Sequence, residues 1–151
     1  MTMIKANKQA SLIGDSADAI EAAFYEALQT ADLEKLMACW ADEDEIMCVH
    51  PGGPRLLGVE AIRTAFDAMF ANGRIQAWPQ GTRKIQTLVS AIHNVFERIE
   101  LLTDEGAREA FVIATNVYQK TPQGWRMVLH HASPTTRQEA QEANAAPYVL
   151  H

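Results

Sequence analysis

The segment Gly124-Trp-Arg-Met-Val-Leu-His-His-Ala-Ser133 is the clearest extended run in this chain, and two adjacent histidines stand near its end. Neighbouring residues of a strand point to opposite faces of a sheet. On strict alternation Met127, Leu129 and His131 share one apolar face, while His130 lies on the other. We therefore expect His131 to face the interior of the fold and His130 to face away from it.

Helical and extended patterns follow one another along the chain in a definite order. Apolar residues recur at helical spacing over 16–30, 33–40 and 59–71, with Asp32 as an N-cap and Asn72-Gly73 ending the third helix. A short strand over 46–50 precedes that third helix. After Gly73 extended runs lie near 75–78, 83–89, 95–103, 107–120 and 125–133, separated by turn residues. This order predicts an α+β fold in which three N-terminal helices pack on the concave face of a curved and mostly antiparallel sheet.

Length and composition indicate one domain. A chain of 151 residues with 48% hydrophobic content can bury a single core. We place that domain at 15–133, between a flexible N-terminal arm over 1–14 and a C-terminal tail over 134–151. A net charge of -6, without a cluster of Lys and Arg, argues against a nucleic-acid partner. Cys39 and Cys48 lack the spacing of a disulfide framework, and the absence of a secretory segment or a membrane-spanning run leads us to expect a cytoplasmic protein without a membrane partner.

The order of elements and several local phrases resemble the nuclear transport factor 2-like superfamily. This cone-shaped fold includes ketosteroid isomerases, polyketide cyclases, scytalone dehydratase and the kinase association domain. The resemblance covers about 15–133, and its phrases are Ala31-Asp-Leu-Glu34, Trp40-Ala-Asp-Glu-Asp44, His50-Pro51 followed by Gly58-Val-Glu-Ala-Ile62, and Gly124-Trp125 through His131-Ala-Ser133. It implies either a small enzyme of general acid/base chemistry, of isomerase, dehydratase or cyclase type, or a non-catalytic ligand-binding or association module.

The chain departs from the ketosteroid isomerases at the residues that matter for their reaction. Where those enzymes place a general-base aspartate before proline, this chain has His50 before Pro51. The tyrosine of their first helix would fall near Phe24, with Tyr25 one residue off and rotated by about 100°. No carboxylate stands around 114–116, where their second acid would lie. We therefore do not predict steroid isomerisation.

Three residues are candidates for proton transfer. His50 is the first, because imidazole titrates near neutral pH, although it could instead bond the backbone of the Pro51-Gly-Gly-Pro54 loop. His131 is the candidate partner, unless it is a hydrogen-bonded core or rim residue. Glu97 stands on an aliphatic strand face and could be an orienting carboxylate with a raised pKa, or could lie at the cavity mouth or in a subunit interface.

The large apolar side chains are expected to be mainly core, and some of them to line the opening of the cone and bind a small hydrophobic molecule. The candidates are Trp40, Phe66, Met69, Phe70, Trp78 and Met127. The chain has no paired histidine or cysteine spacing typical of a metal site, and no phosphate loop or dinucleotide fingerprint, so we expect neither a metal nor a cofactor. Strands that are apolar on both sides predict a homodimer formed through the outer face of the sheet.

Overall fold

The computed structural model describes residues 14–72 and 75–145. Its elements, in chain order, are α1 (Ala17–Thr30), α2 (Leu33–Ala38), β1 (Met47–Val49), β2 (Arg55–Leu57), α3 (Gly58–Ala71), β3 (Gln76–Gln86), β4 (Ser90–Thr103), β5 (Gly106–Thr121), β6 (Gly124–Thr135) and α4 (Arg137–Ala145). None of the described helices is long and apolar enough to cross a bilayer. The predicted N-terminal arm lies almost wholly outside the described residues, as does the end of the predicted tail.

Capping side chains determine where the first two helices begin. The Ser16 hydroxyl accepts a hydrogen bond from the backbone N–H of Ala19 at 3.0 Å, and the Asp32 carboxylate accepts one from the backbone N–H of Lys35 at 3.0 Å. Each cap satisfies an N–H group that a helix start leaves without an intrahelical partner. The helices predicted at 16–30, 33–40 and 59–71 are confirmed, although the second ends two residues earlier, at Ala38.

The six strands form one sheet in the order β2-β1-β6-β5-β4-β3. All neighbours are antiparallel except β1 and β6, which are parallel. The runs predicted at 75–78 and 83–89 belong to the single strand β3, whose register with β4 shifts between Gln80 and Arg83. The turn expected over 90–94 is wrong, because β4 already begins at Ser90 and pairs with β5 from there. The α+β class and the curved, mostly antiparallel sheet are confirmed.

A bulge in β6 changes which residues of that strand face the helices. Met127 pairs with Tyr118, but the next partner of β5, Val117, pairs with Leu129, so Val128 is an extra residue without a partner in the ladder. An inserted residue of this kind reverses the alternation of every side chain beyond it. Both Met127 and His130 therefore point inwards, although strict alternation would place them on opposite faces.

The helices cover the concave face of the sheet. Phe24 from α1 and Phe66 from α3 are fully buried and meet edge to face, with ring centroids 6.2 Å apart. Burying a side chain of this size contributes roughly 1.5–3 kcal/mol each. On the opposite, convex face, Arg137 at the start of α4 lies 5.4 Å from the ring centroid of Phe111, so the chain itself covers part of that face.

Candidate functional site

A cavity of about 70 Å³ opens between α1, α3 and the concave face of β4, β5 and β6. Its wall is mostly apolar, with Phe24, Phe66 and Ile99 among the lining residues. Three side chains that can exchange protons also line it, namely His50, Glu97 and His130. The described residues around this cavity include neither Lys nor Arg. An apolar wall with a few convergent polar groups is the usual composition of a small-molecule site.

The structure brings His130, and not His131, to the cavity. His130 is buried, whereas His131 is exposed and pairs across the sheet with Thr115 on the convex face. The prediction that His131 faces the interior is therefore wrong, and the reason is the extra residue Val128, which reverses the alternation before the two histidines are reached. His131 could act as the partner of His50 inside the cavity only if β6 paired with β5 without the bulge.

Glu97 is a buried carboxyl group on the cavity wall. Only 5% of it is exposed, and its Oε2 accepts a hydrogen bond of 2.6 Å from the hydroxyl of Tyr25. Burial raises its pKa from the ordinary value of 4.5 to about 7, against the opposing effect of the Tyr25 hydrogen bond, and the negative charge of Glu21 adds to the rise. Glu97 can therefore hold or release a proton near neutral pH.

Tyr25 and Asn116 connect Glu97 to His130 through the interior. The Asn116 side-chain Nδ2 donates to the Tyr25 hydroxyl at 3.1 Å, and its Oδ1 lies 2.6 Å from Nδ1 of His130. Burial raises the pKa of Tyr25 well above its usual value, so the phenol keeps its proton. Burial also lowers the pKa of His130 to about 3, with further contributions from the nearby His50 and His131, so His130 is neutral.

The imidazole of His50 faces the cavity, and its backbone holds the loop. The His50 carbonyl oxygen accepts the hydrogen bond from the backbone N–H of Gly53 at 2.8 Å, which closes the turn after Pro51. The ring packs edge to face on Phe66 with centroids 4.9 Å apart, and its Nε2 lies 3.7 Å from Sγ of Cys48. Burial lowers the pKa of His50 below its usual value. The imidazole is thus a neutral group at neutral pH that can accept a proton or donate one.

The predicted apolar lining is only partly at the cavity. Phe66 and Met69 line it, and Phe70 packs behind Phe66 with ring centroids 6.1 Å apart. Trp40 and Met127 are instead fully enclosed in the core, where they form a bridge between the chain after α2 and β6. Trp78 is on the convex face, 38% exposed, with the Arg98 guanidinium 5.9 Å from its ring centroid. The assignment of Trp40, Trp78 and Met127 to the opening is therefore wrong, because the core encloses Trp40 and Met127 and Trp78 lies on the convex face.

A second buried polar cluster lies one helical turn earlier on α1. The Glu21 Oε2 atom is 2.7 Å from Nδ1 of His93 and accepts a hydrogen bond of 2.6 Å from the Tyr118 hydroxyl. The Nε2 of His93 is buried and lies 3.8 Å from Oδ1 of Asp18, beyond hydrogen-bonding distance. Glu21 influences the pKa of Glu97, which makes this cluster an electrostatic neighbour of the cavity.

Sequence reasoning missed Tyr25 and Asn116. Glu21 and Tyr25 stand four residues apart on the apolar face of α1, so they share a side of the helix with Phe24 and Leu28. Asn116 interrupts the apolar face of β5, between Ala114 and Tyr118. A polar residue on a predicted core face needs a buried partner, and this signal could have identified both residues.

Metal binding has no donor set in the described part of the chain. No group of three or more His, Cys, Asp or Glu side chains is placed there to hold a metal ion. Cys48 and His50 are neighbours, but burial raises the pKa of the Cys48 thiol to about 12, which disfavours the thiolate that a metal requires.

Most of the chain matches the sequence pattern of a known protein family. The sequence pattern of the SnoaL-like domain matches residues 18–137. This range contains the three titratable residues of the cavity and the two residues that connect Glu97 to His130. The resemblance to the nuclear transport factor 2-like superfamily is thereby confirmed. No curated protein matches the chain.

Several proteins of known structure are similar to this chain, and they are described as having different functions. A proposed calcium/calmodulin-dependent protein kinase type II association domain from Thiobacillus denitrificans is 36% identical, with a TM-score of 0.73 over 82% of this chain and 98% of that one. A proposed dehydratase of the NTF2-like family from Streptomyces avermitilis is 31% identical, with a TM-score of 0.69 over 78% of this chain and 92% of that one. An NTF2-like protein with a cystatin-like fold from Novosphingobium aromaticivorans is 17% identical, with a TM-score of 0.66 over 82% and 83%, and shows the fold alone.

Proposed function

The chain belongs to the SnoaL-like domain family, and we propose that it is a cofactor-independent enzyme of general acid/base chemistry acting on a small, uncharged, mostly apolar molecule. The observation that carries this proposal is Glu97, a carboxyl group on the wall of an apolar cavity with a pKa of about 7. A general acid or base is most effective when its pKa lies near the working pH. Isomerisation, dehydration and cyclisation each require a proton to be removed at one atom and delivered at another.

In this proposal Glu97 is the base that removes the proton from one atom and, once protonated, the acid that delivers it at the other, and His50 hydrogen-bonds the substrate oxygen. Glu97 offers its Oε1 to the substrate, because Oε2 is occupied by Tyr25. A neutral imidazole has one N–H and one lone pair, so His50 can donate to a developing oxyanion or accept from a hydroxyl. Phe24 and Phe66 enclose the reacting atoms and exclude water, which strengthens each of these interactions.

The proposal can be tested before the natural substrate is known. A base of this kind should catalyse the exchange of a hydrogen next to a carbonyl group for deuterium from the solvent. The exchange can be measured by NMR, with cyclohexanone and 2-hydroxycyclohexanone as probe molecules. We expect exchange that increases as Glu97 ionises through about pH 7, and a loss of about 100-fold or more in Glu97→Gln. Glu60→Gln, at an exposed carboxylate of α3, is the matched control. Equal exchange by Glu97→Gln and the native protein would refute a catalytic Glu97.

A second candidate function is that of an association module. It is supported by the 36% identity to a proposed kinase association domain and by half-buried apolar residues on the convex face, such as Ile113 and Val117. We propose that this face forms a homodimer in either case. Sedimentation of the native protein that shows a monomer at all concentrations would reject the dimer. Self-association without deuterium exchange for any probe would favour the module over the enzyme.

We also propose a cytoplasmic location. Its support is that Cys39 and Cys48 are both buried thiols without a disulfide, as in proteins kept in a reducing compartment.

A further inference from the structure

The hydrogen bonds between Glu97 and His130 run in one direction. An ionised carboxylate can only accept, so the Tyr25 hydroxyl must donate to Glu97. The phenol oxygen then has only lone pairs to offer Asn116, which must present its NH2 group to Tyr25. The carbonyl oxygen of the same amide consequently faces His130. Each donor along the chain points towards Glu97.

This direction decides which nitrogen of His130 carries the proton. The carbonyl of Asn116 cannot donate, so the 2.6 Å contact requires a proton on Nδ1 of His130. His130 is neutral and 5% exposed, and a neutral imidazole has a proton on one nitrogen only. The nitrogen that remains for the cavity is therefore Nε2, and it is a hydrogen-bond acceptor.

We propose that Tyr25 and Asn116 are positioning residues that fix the tautomer of His130, and that the cavity as a result selects an uncharged apolar molecule bearing a hydrogen-bond donor such as a hydroxyl group. This inference rests on the proposed small-molecule function of the same cavity. It adds what part of the ligand is recognised and which buried residues determine that choice.

The charges of the wall support the same ligand class. Of the three polar groups on the wall, Nε2 of His130 and Oε1 of Glu97 accept hydrogen bonds when Glu97 is ionised, and only His50 can also donate one. An anionic ligand would meet a carboxylate with no Lys or Arg on the described wall to compensate, and like charges in a low-dielectric site repel strongly. A hydroxyl satisfies an acceptor that would otherwise be left unpaired when the ligand displaces water.

The tautomer can be measured directly in the native protein. Long-range ¹H–¹⁵N correlation spectra of histidine-labelled protein at about pH 8 report the proton on each ring nitrogen, and His130→Gln assigns the resonances of this ring. We expect His130 with its proton on Nδ1. A proton on Nε2 would overturn the inference and leave the proposed acid/base function of Glu97 standing.

Two variants test whether Tyr25 and Asn116 determine this state. Asn116→Leu removes the acceptor for Nδ1, and Tyr25→Phe removes the group that orients the Asn116 amide. Both should convert the single His130 tautomer into a mixture, while Tyr118→Phe, which loses a buried hydroxyl in the neighbouring cluster, should leave it unchanged. An unaltered His130 spectrum in folded Asn116→Leu would show that the amide does not set the tautomer.

The ligand preference can be measured by NMR titration at about pH 8 with three molecules that share the same ring. Binding is observed as shifts in the resonances of the cavity residues. Cyclohexanol should bind more tightly than cyclohexanone by about threefold and more tightly than cyclohexanecarboxylate by at least about tenfold. Asn116→Leu should bring the alcohol and the ketone close to equal. A carboxylate that binds as tightly as the alcohol would overturn the inference alone, whereas no binding by any of the three would overturn the small-molecule function as well.

Discussion

The buried carboxyl of Glu97 should make the stability of this protein depend on pH in a way that a single substitution removes. Glu97→Gln keeps the size of the side chain and an oxygen that can accept from Tyr25, but it cannot ionise. Because the folded protein holds the Glu97 proton up to about pH 7 while the unfolded chain releases it near 4.5, folding opposes ionisation between these values.

The sign and size of the effect follow from this difference. Below about pH 4.5 the carboxyl is protonated in both states, so the stabilising contribution of the neutral form is fully present. As pH rises towards 7 the unfolded state loses its proton first, and the free energy of unfolding falls by about 1.4 kcal/mol per pH unit. A shift from 4.5 to about 7 therefore corresponds to about 3 kcal/mol, which is lost by the time pH exceeds the folded-state value.

Urea unfolding of both proteins at a series of pH values from about 4.5 to 8.5 measures this difference. Every other titrating group is common to the two chains, so the variant minus the native free energy isolates Glu97. We expect this difference to grow with pH by about 3 kcal/mol in favour of Gln and to level off above about pH 7. A difference that does not change with pH would show that Glu97 titrates at its ordinary value and would refute its role as a buried base.

Three further perturbations test other parts of the structure. His50→Ala should lower the thermal midpoint by no more than about 4 °C, because the imidazole faces the cavity while the backbone holds the loop; a larger fall in differential scanning calorimetry would indicate a structural histidine. Ile113→Asp should convert a dimer into a folded monomer in sedimentation, and an unaltered dimer would place the interface elsewhere. Deleting Val128 should leave His130 inside the fold, since the pairs on either side of the bulge are unchanged; NMR contacts that place His130 on the convex face would contradict the assigned register.

The parts of the fold that depend on local chemistry could be predicted from the sequence. Ser16 and Asp32 mark helix starts because a short polar side chain before an apolar periodic run satisfies the free N–H groups there. Hairpin turns after Thr103 and Thr121 have glycines at positive φ, Gly106 at 108° and Gly124 at 107°, which other residues rarely adopt. These signals lie within a few residues of the structure that they specify.

The candidate site was only partly predictable, because its geometry depends on contacts between distant segments. Glu97 and His50 could be singled out as titratable residues beside apolar ones. Tyr25 and Glu97 are 72 positions apart in the chain, and Asn116 and Tyr25 are 91 apart, so no spacing in the sequence shows that they meet. The offset of Tyr25 from the position expected by resemblance suggested that it had no role, yet its hydroxyl holds the central carboxyl group.

The choice between two adjacent histidines shows how far one unpaired residue can alter a site. His93, Asn116 and His130 lie directly opposite one another on β4, β5 and β6, and Cys48 on β1 continues the same row. This row places the Asn116 amide within reach of the imidazole of His130. The row exists only because the bulge at Val128 reverses the alternation of β6 after Met127 has already packed into the core. If the same residues, Val128 included, were paired without a bulge, a strand that buries Met127 would turn His131 inwards and leave the Asn116 carbonyl without the imidazole donor that completes the chain to Glu97. In this sequence the bulge at Val128 therefore places Met127 in the core and His130 at the cavity, on the same face of one strand.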